Sequence, residues 1–154
     1  ANSGVGFAIP VSILKRVVPA LIQDGKYDWP WLGVRGSSLD LGLIRAMDLP
    51  MEKGAYLWQV IDGGPSEKAG LVGASRTVQY NGRPVDVGGD VIVAIDGQPV
   101  ESFDDLLVYV SLNGSPGQAV ELKIWRDGAY KDVTVTLEKR PEQLSSEQIL
   151  PELP

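Results

Sequence analysis

The chain has 154 residues, 44% of them hydrophobic and 22% charged, which suits one globular domain with additional segments and enough apolar mass for a core. A net charge of −6 argues against a nucleic-acid partner, and the absence of cysteine excludes disulfides and thiolate metal sites. The absence of histidine removes the usual general base, so no Ser-His-Asp triad can be completed within these residues.

In chain order, Asn2–Pro10 reads as a glycine turn entering a short apolar strand. Leu14, Val17, Val18, Leu21 and Ile22 then recur at helical spacing, with Gly25 as the stop. Pro19 should kink that helix or reset its start. Tyr27–Trp31 (YDWPW) is a stiff connector, because Pro30 holds Trp29 extended, and the main domain boundary falls between about Gly25 and Trp31. In the following Leu32-Gly33-Val34 a glycine interrupts an apolar strand, where it brings no side chain to pack and the most backbone entropy to lose. Something must approach the backbone there so closely that a side chain would obstruct it.

Leu39–Leu49 predicts a short helix weakened by Gly42, and Gly54–Ile61 a strand. Gly63–Leu71 (GGPSEKAGL) predicts a one-turn helix with Pro65 at its first position and Gly70 as its stop. Arg76–Val87 pivots on Asn81-Gly82, a strong hairpin signal, with Val78, Tyr80, Val85 and Val87 on one face and Pro84 marking an edge. It looks inserted, an appendage whose apolar face should still rest on the body and whose removal should leave a folded domain. Asp90–Val100 holds a strand, an Asp-Gly turn and a short return. Ser102 should cap a helix that carries Asp104 and Asp105 in its first turn and ends at Gly114. A last hairpin turns at Asp127-Gly128, with Val120, Leu122 and Ile124 facing Val133, Val135 and Leu137. Glu138 onward is polar and proline-containing, a tail. Short strands around a small core, with one short helix early and one long helix late, make an α+β or partly open barrel fold.

Other chemistry finds little support. Gly4-x-Gly6 lacks the lysine and the βαβ unit of a phosphate loop. Asp86, Asp90 and Asp96 fit no calcium loop and read as solvated turn carboxylates, so neither a metal nor another cofactor is expected. Trp29 and Trp31 either cover the domain junction or form an aromatic recognition patch.

Five of these pieces, in this order, resemble the PDZ domain of the HtrA/Deg family of trypsin-like serine proteases, joined to the end of the protease domain, over about residues 3 to 138. They are NSGVGFAIP, WLGV, GGPSEKAGL, GGDVIVAIDGQPV and SFDDLL; Arg76–Val87 departs from the common pattern. The resemblance implies a protease remnant and linker helix at 1–25, a PDZ-like sheet of about five to six strands capped by two helices at 26–140, with 76–87 an inserted hairpin, and a tail at 141–154. It implies no catalysis by these residues themselves, since the family's catalytic segments would lie upstream of Asn2, within a parent serine endopeptidase. By position, the amides of Leu32, Gly33 and Val34 would hold the terminal carboxylate of a peptide added as an extra strand, with Trp31 and Arg35 beside them. From the helix, Leu106 and Val110 are the preferred groove walls, with Phe103 and Leu107 competing for that role. The implied partners are C-terminal peptides or unfolded proteins and the parent's protease domain, in an extracytoplasmic space and in the service of protein quality control. A trimer assembled through the protease domain would leave this piece mostly monomeric in dilute solution. The rival reading is a structural or regulatory module whose groove is filled by its own chain or by another protomer.

Overall fold

The structure, a computed structural model, describes residues 11–142. The expected strand at Asn2–Pro10 and the tail from residue 143 lie outside them. Three Asx-Gly pairs set much of the architecture. Asn81 and Gly82 have φ of 50° and 73°, Asp96 and Gly97 47° and 76°, and Asp127 and Gly128 51° and 82°. Positive φ at both central residues matches the right-handed twist of the flanking strands, so each pair closes a tight hairpin. The hairpins are β4 (Arg76–Tyr80) with β5 (Arg83–Val87), β6 (Val91–Ile95) with β7 (Gln98–Pro99), and β8 (Ala119–Arg126) with β9 (Ala129–Thr136).

The main sheet runs in the order β2-β3-β6-β8-β9, with β7 added to β6 and every pairing antiparallel. Strand β2 (Val34–Ser38) is an edge, paired with β3 (Ala55–Val60) on one side only. Helix α4 (Phe103–Asn113) starts from the expected Ser102 cap, closed reciprocally by Asp105, and ends at Gly114. Its inner side covers one face of the sheet over a core that includes Leu57, Ile92, Ile95, Leu106, Leu122 and Ile124, none more than 1% exposed. Each such side chain contributes about 1.5–3 kcal/mol of burial.

The other face carries a second cluster of Leu43, Leu49, Tyr56, Val87 and Val91. Helix α2 (Leu41–Met47), capped by Asp40 and ended by Asp48 in a left-handed conformation, covers it together with the β4–β5 hairpin. The hairpin forms its own two-stranded sheet and pairs Val78 with Val85 as expected. Its apolar face rests on the body, as expected: Val87 is 1% exposed, and the Tyr56 hydroxyl donates to the Asp86 carbonyl at 2.8 Å. The hairpin is a wall of the second cluster.

One expectation needs correction. Asp90 is a fully buried carboxylate rather than a solvated one; it accepts from Arg126 at 2.6 Å through both oxygens and from the Val72 amide at 2.9 Å. The reason is topological, because Asp90 immediately precedes β6, directly beside the end of β8, and cannot reach water. Helix α1 (Val11–Asp24) runs through Pro19 without restarting, and it ends at Gly25, whose φ of 68° allows its amide to bond the Leu21 carbonyl. Leu14, Val18, Leu21 and Ile22 are exposed along α1, while Arg16 ties it to the Leu112 and Gly114 carbonyls and to the Ser115 hydroxyl. Strand β10 (Glu138–Lys139) pairs with β1 (Pro30–Trp31), bringing the end of the described chain back to the start of the sheet.

Candidate functional site

Helix α4 lies along the open edge of β2 and closes on it at one end. There the Phe103 amide donates to the Ser38 hydroxyl at 3.0 Å, and a Cβ on Gly36 would fall 2.4 Å from the Phe103 ring. At the other end strand and helix leave a pocket of about 200 Å³, with Trp31, Leu32 and Val34 on one side, Leu107 and Val110 on the other, and Arg140 among its lining residues. That is below the 300 Å³ or so at which sites for drug-sized ligands begin, and it suits a single side chain.

The loop at its head is fixed from behind. Gly33 has φ of 74°, a conformation that glycine enters at little cost. A Cβ there would meet Pro65 Cδ at 3.0 Å, so the close neighbour is the first residue of helix α3 (Pro65–Lys68), with the Trp31 ring next at 3.4 Å. The Leu32 carbonyl accepts from the Ser66 amide at 3.1 Å and the Gly33 carbonyl from the Ile61 amide at 2.9 Å. The carbonyls are therefore used. Among the described residues, the amides of Leu32 and Gly33 donate to nothing.

Val34 continues the pattern. It lies opposite Val60, and the bond from the Ile61 amide to the Gly33 carbonyl marks Val34–Val60 as a pair that exchanges no hydrogen bonds. Its N–H and C=O point away from β3, toward the free edge. The bond from the Leu39 amide to the Gly54 carbonyl places Ser38 the same way, and Gly36 shares that orientation by alternation. The edge thus offers consecutive unpaired amides at Leu32, Gly33 and Val34, followed by open ladder positions at Gly36 and Ser38.

Of the residues singled out in the sequence, Trp31, Leu32, Gly33, Val34 and Val110 come together at this pocket. Leu106 does not: it is fully buried in the core, and Leu107, 44% exposed, faces the pocket instead. Of the apolar i, i+4 pair Leu106 is claimed by the sheet, so the groove receives Val110 together with Leu107 from the helix flank beside it. Phe103 closes the narrow end against Gly36. Arg35 also departs from expectation, because its side chain lies on the sheet face opposite α4, donating to Gln59 Oε1 at 3.2 Å with its guanidinium 5.9 Å from the Trp58 ring centre. Sequence reasoning missed Arg140, which no local signal could find, since only the β1–β10 pairing carries it to the pocket.

Behind the site, Asp90 holds Arg126 above the ordinary guanidinium range, chiefly by hydrogen bonding, and Arg126 also donates to the Gly70 carbonyl at 2.8 Å. No group of three or more potential metal-ligating side chains occurs among the described residues. A larger cleft of about 950 Å³ lies on the opposite face between α2, β3 and the β4–β5 hairpin, bordered by Ser37, Trp58 and Tyr80.

The PDZ domain family matches residues 30–137. A probable periplasmic serine endoprotease DegP-like of Chlamydia muridarum is 36% identical over 91% of this chain and 25% of its own length. The periplasmic pH-dependent serine endoprotease DegQ of Escherichia coli is 30% identical over 97% of this chain and 30% of its own length. Among solved structures, the HtrA-type protease AlgW with decapeptide matches with a TM-score of 0.70 at 27% identity, covering 92% of this chain and 38% of that one. The chain spans about a quarter of the length of the curated relatives it matches. It belongs to the PDZ domain family, in the form carried by HtrA/Deg serine endoproteases.

Proposed function

We propose that the groove between β2 and α4 binds the carboxy-terminal ends of polypeptides by strand addition. The observation that carries this reading is the run of unused amides at Leu32, Gly33 and Val34 at the head of an open sheet edge. Buried backbone amides are paired almost without exception, so a row left open beside an apolar pocket fits an acceptor arriving from outside. A terminal carboxylate supplies that acceptor. The last side chain enters the pocket between Leu32, Val34, Leu107 and Val110, and the preceding residues extend the sheet along Gly36 and Ser38. Arg140 adds a positive charge near the carboxylate. A similar protease, AlgW, has been solved with a decapeptide, in keeping with this reading.

The parent protein is then a serine endopeptidase of an extracytoplasmic space that uses this module to capture exposed C-termini of its substrates. The names of its relatives support both the chemistry and the compartment. Titration with a free peptide ending in an apolar residue should give micromolar binding. Amidating its terminus removes charge-assisted bonds worth about 1.5–3 kcal/mol, hence about ten- to hundredfold in affinity. Equal titration by the free and amidated peptides would sink the carboxylate assignment.

A further inference from the structure

Arg35 has no place in the groove, yet it stands on the same edge strand, and strand geometry gives it a task. In an antiparallel pair, directly opposite residues project their side chains to the same face. A peptide whose carboxylate meets the Leu32–Val34 amides places its last residue beside Val34, its penultimate residue opposite Arg35 and the one before that opposite Gly36. The last residue therefore shares the α4 face with Val34, and the penultimate residue shares the outer face with Arg35. On that face the Arg35 guanidinium is held by Gln59 and lies over Trp58, which is 42% exposed. Among the described residues it forms no ion pair, and of its five N–H donors one is engaged, by Gln59.

We propose that Arg35 selects for an acidic side chain at the penultimate position of the bound peptide. Resting on the strand-addition reading, the inference assigns that site a substrate class: C-termini ending in Asp or Glu followed by an apolar residue. Long-range electrostatics cannot supply this preference. The chain carries a net charge of −6 and would disfavour an acidic ligand, and charges beyond about 8 Å are largely screened at physiological salt. A cross-strand ion pair acts within that distance, and Trp58 and Gln59 pre-position the cation so that little rotamer freedom is lost on pairing.

The test uses free-carboxyl peptides that differ only at the penultimate residue, Glu, Gln or Lys, titrated against the chain and against Arg35→Glu at low and high salt. The expected order is Glu, then Gln, then Lys, with about three- to tenfold between the extremes, a spread that narrows with salt and inverts in Arg35→Glu. Should that variant fail to fold, the series against the unchanged chain decides alone. Binding by all three peptides with no dependence on the penultimate charge, or the same order in both proteins, overturns the inference while leaving the groove reading intact. Binding by none of them overturns both.

Discussion

Replacing Gly33 by alanine tests what the loop requires. A left-handed φ costs a residue with a Cβ about 1–2 kcal/mol. At Gly33 the added methyl also meets Pro65 Cδ at 3.0 Å and Gly64 Cα and the Trp31 ring at 3.4 Å, where a proline ring and a backbone carbon cannot swing aside. Together these make about 1.5–3 kcal/mol, a sizeable part of the 5–15 kcal/mol typical of a domain. For a domain of this size that lowers the melting midpoint by about 6–12 °C. Gly128 supplies the control: its φ of 82° carries the same conformational cost, but nothing lies within 4 Å of its Cβ position, and it sits at the tip of the β8–β9 hairpin. Gly128→Ala should therefore destabilise by about 1–2 kcal/mol and leave peptide affinity alone. Gly33→Ala should destabilise further and, by displacing the amides, weaken binding of a free-carboxyl peptide about tenfold or more. Thermal melts and peptide titrations of both variants decide the matter. If Gly33→Ala matches Gly128→Ala in stability and binds like the unchanged chain, neither the close approach of α3 nor the carboxylate role of the loop survives.

Neighbouring leucines on α4 should separate core from groove. Leu106→Ala should cost about 2–5 kcal/mol by urea denaturation, whereas Leu107→Ala should change stability by under about 1 kcal/mol and lose affinity for peptides with a large last residue; the reverse pattern would show that the helix face is misassigned. Asp90→Ala leaves Arg126, 21% exposed, and the Val72 amide without their acceptor, and should cost about 2–4 kcal/mol with the urea slope unchanged; a loss below about 1 kcal/mol would mean that Arg126 finds water easily.

Local signals were legible where a residue's own chemistry decided its conformation. Ser102 with Asp105, Pro65 at the head of α3, and the Asx-Gly pairs at 81, 96 and 127 each specify a cap or turn within a few residues, and they stand in the structure as the sequence predicts. The position of the Leu32–Val34 loop beside a pocket was legible by resemblance, and the need for Gly33 by the cost of a glycine in a strand. What stayed hidden depended on distant partners. Leu106 and Leu107 are adjacent and alike in the sequence; which one meets the core is set by how α4 rotates on a sheet made from residues 34 to 136. Asp90 looks like any turn carboxylate until β8 places Arg126 beside it. Arg35 falls within a groove motif, but the pleat turns it outward, and the extra residue of β3 at Trp58 brings an aromatic ring under its guanidinium.

The groove's size also constrains how it can work. On the proposed reading, one apolar side chain in a pocket of about 200 Å³ would contribute about 1.5–3 kcal/mol, and the carboxylate bonds would add about 1.5–3 kcal/mol. Association costs at least about 4 kcal/mol in lost translational and rotational freedom. The pocket and the carboxylate together thus barely offset the cost of association, and useful affinity has to come from the ladder positions at Gly36 and Ser38 and from preorganisation. The structure supplies the second through one connected set of bonds. The Leu32 carbonyl is fixed by Ser66 and the Gly33 carbonyl by Ile61; Leu71, at the end of the α3 turn, bonds back to Ser66; Val72 is held by Asp90; and Asp90 and Gly70 are both held by Arg126. On the proposed reading, the amides that would meet a carboxylate are aligned before a ligand arrives, so little loop entropy would be lost on binding. Discrimination among ligands then falls to whatever the added strand touches beyond its last residue, and on the outer face of β2 the first such group is Arg35.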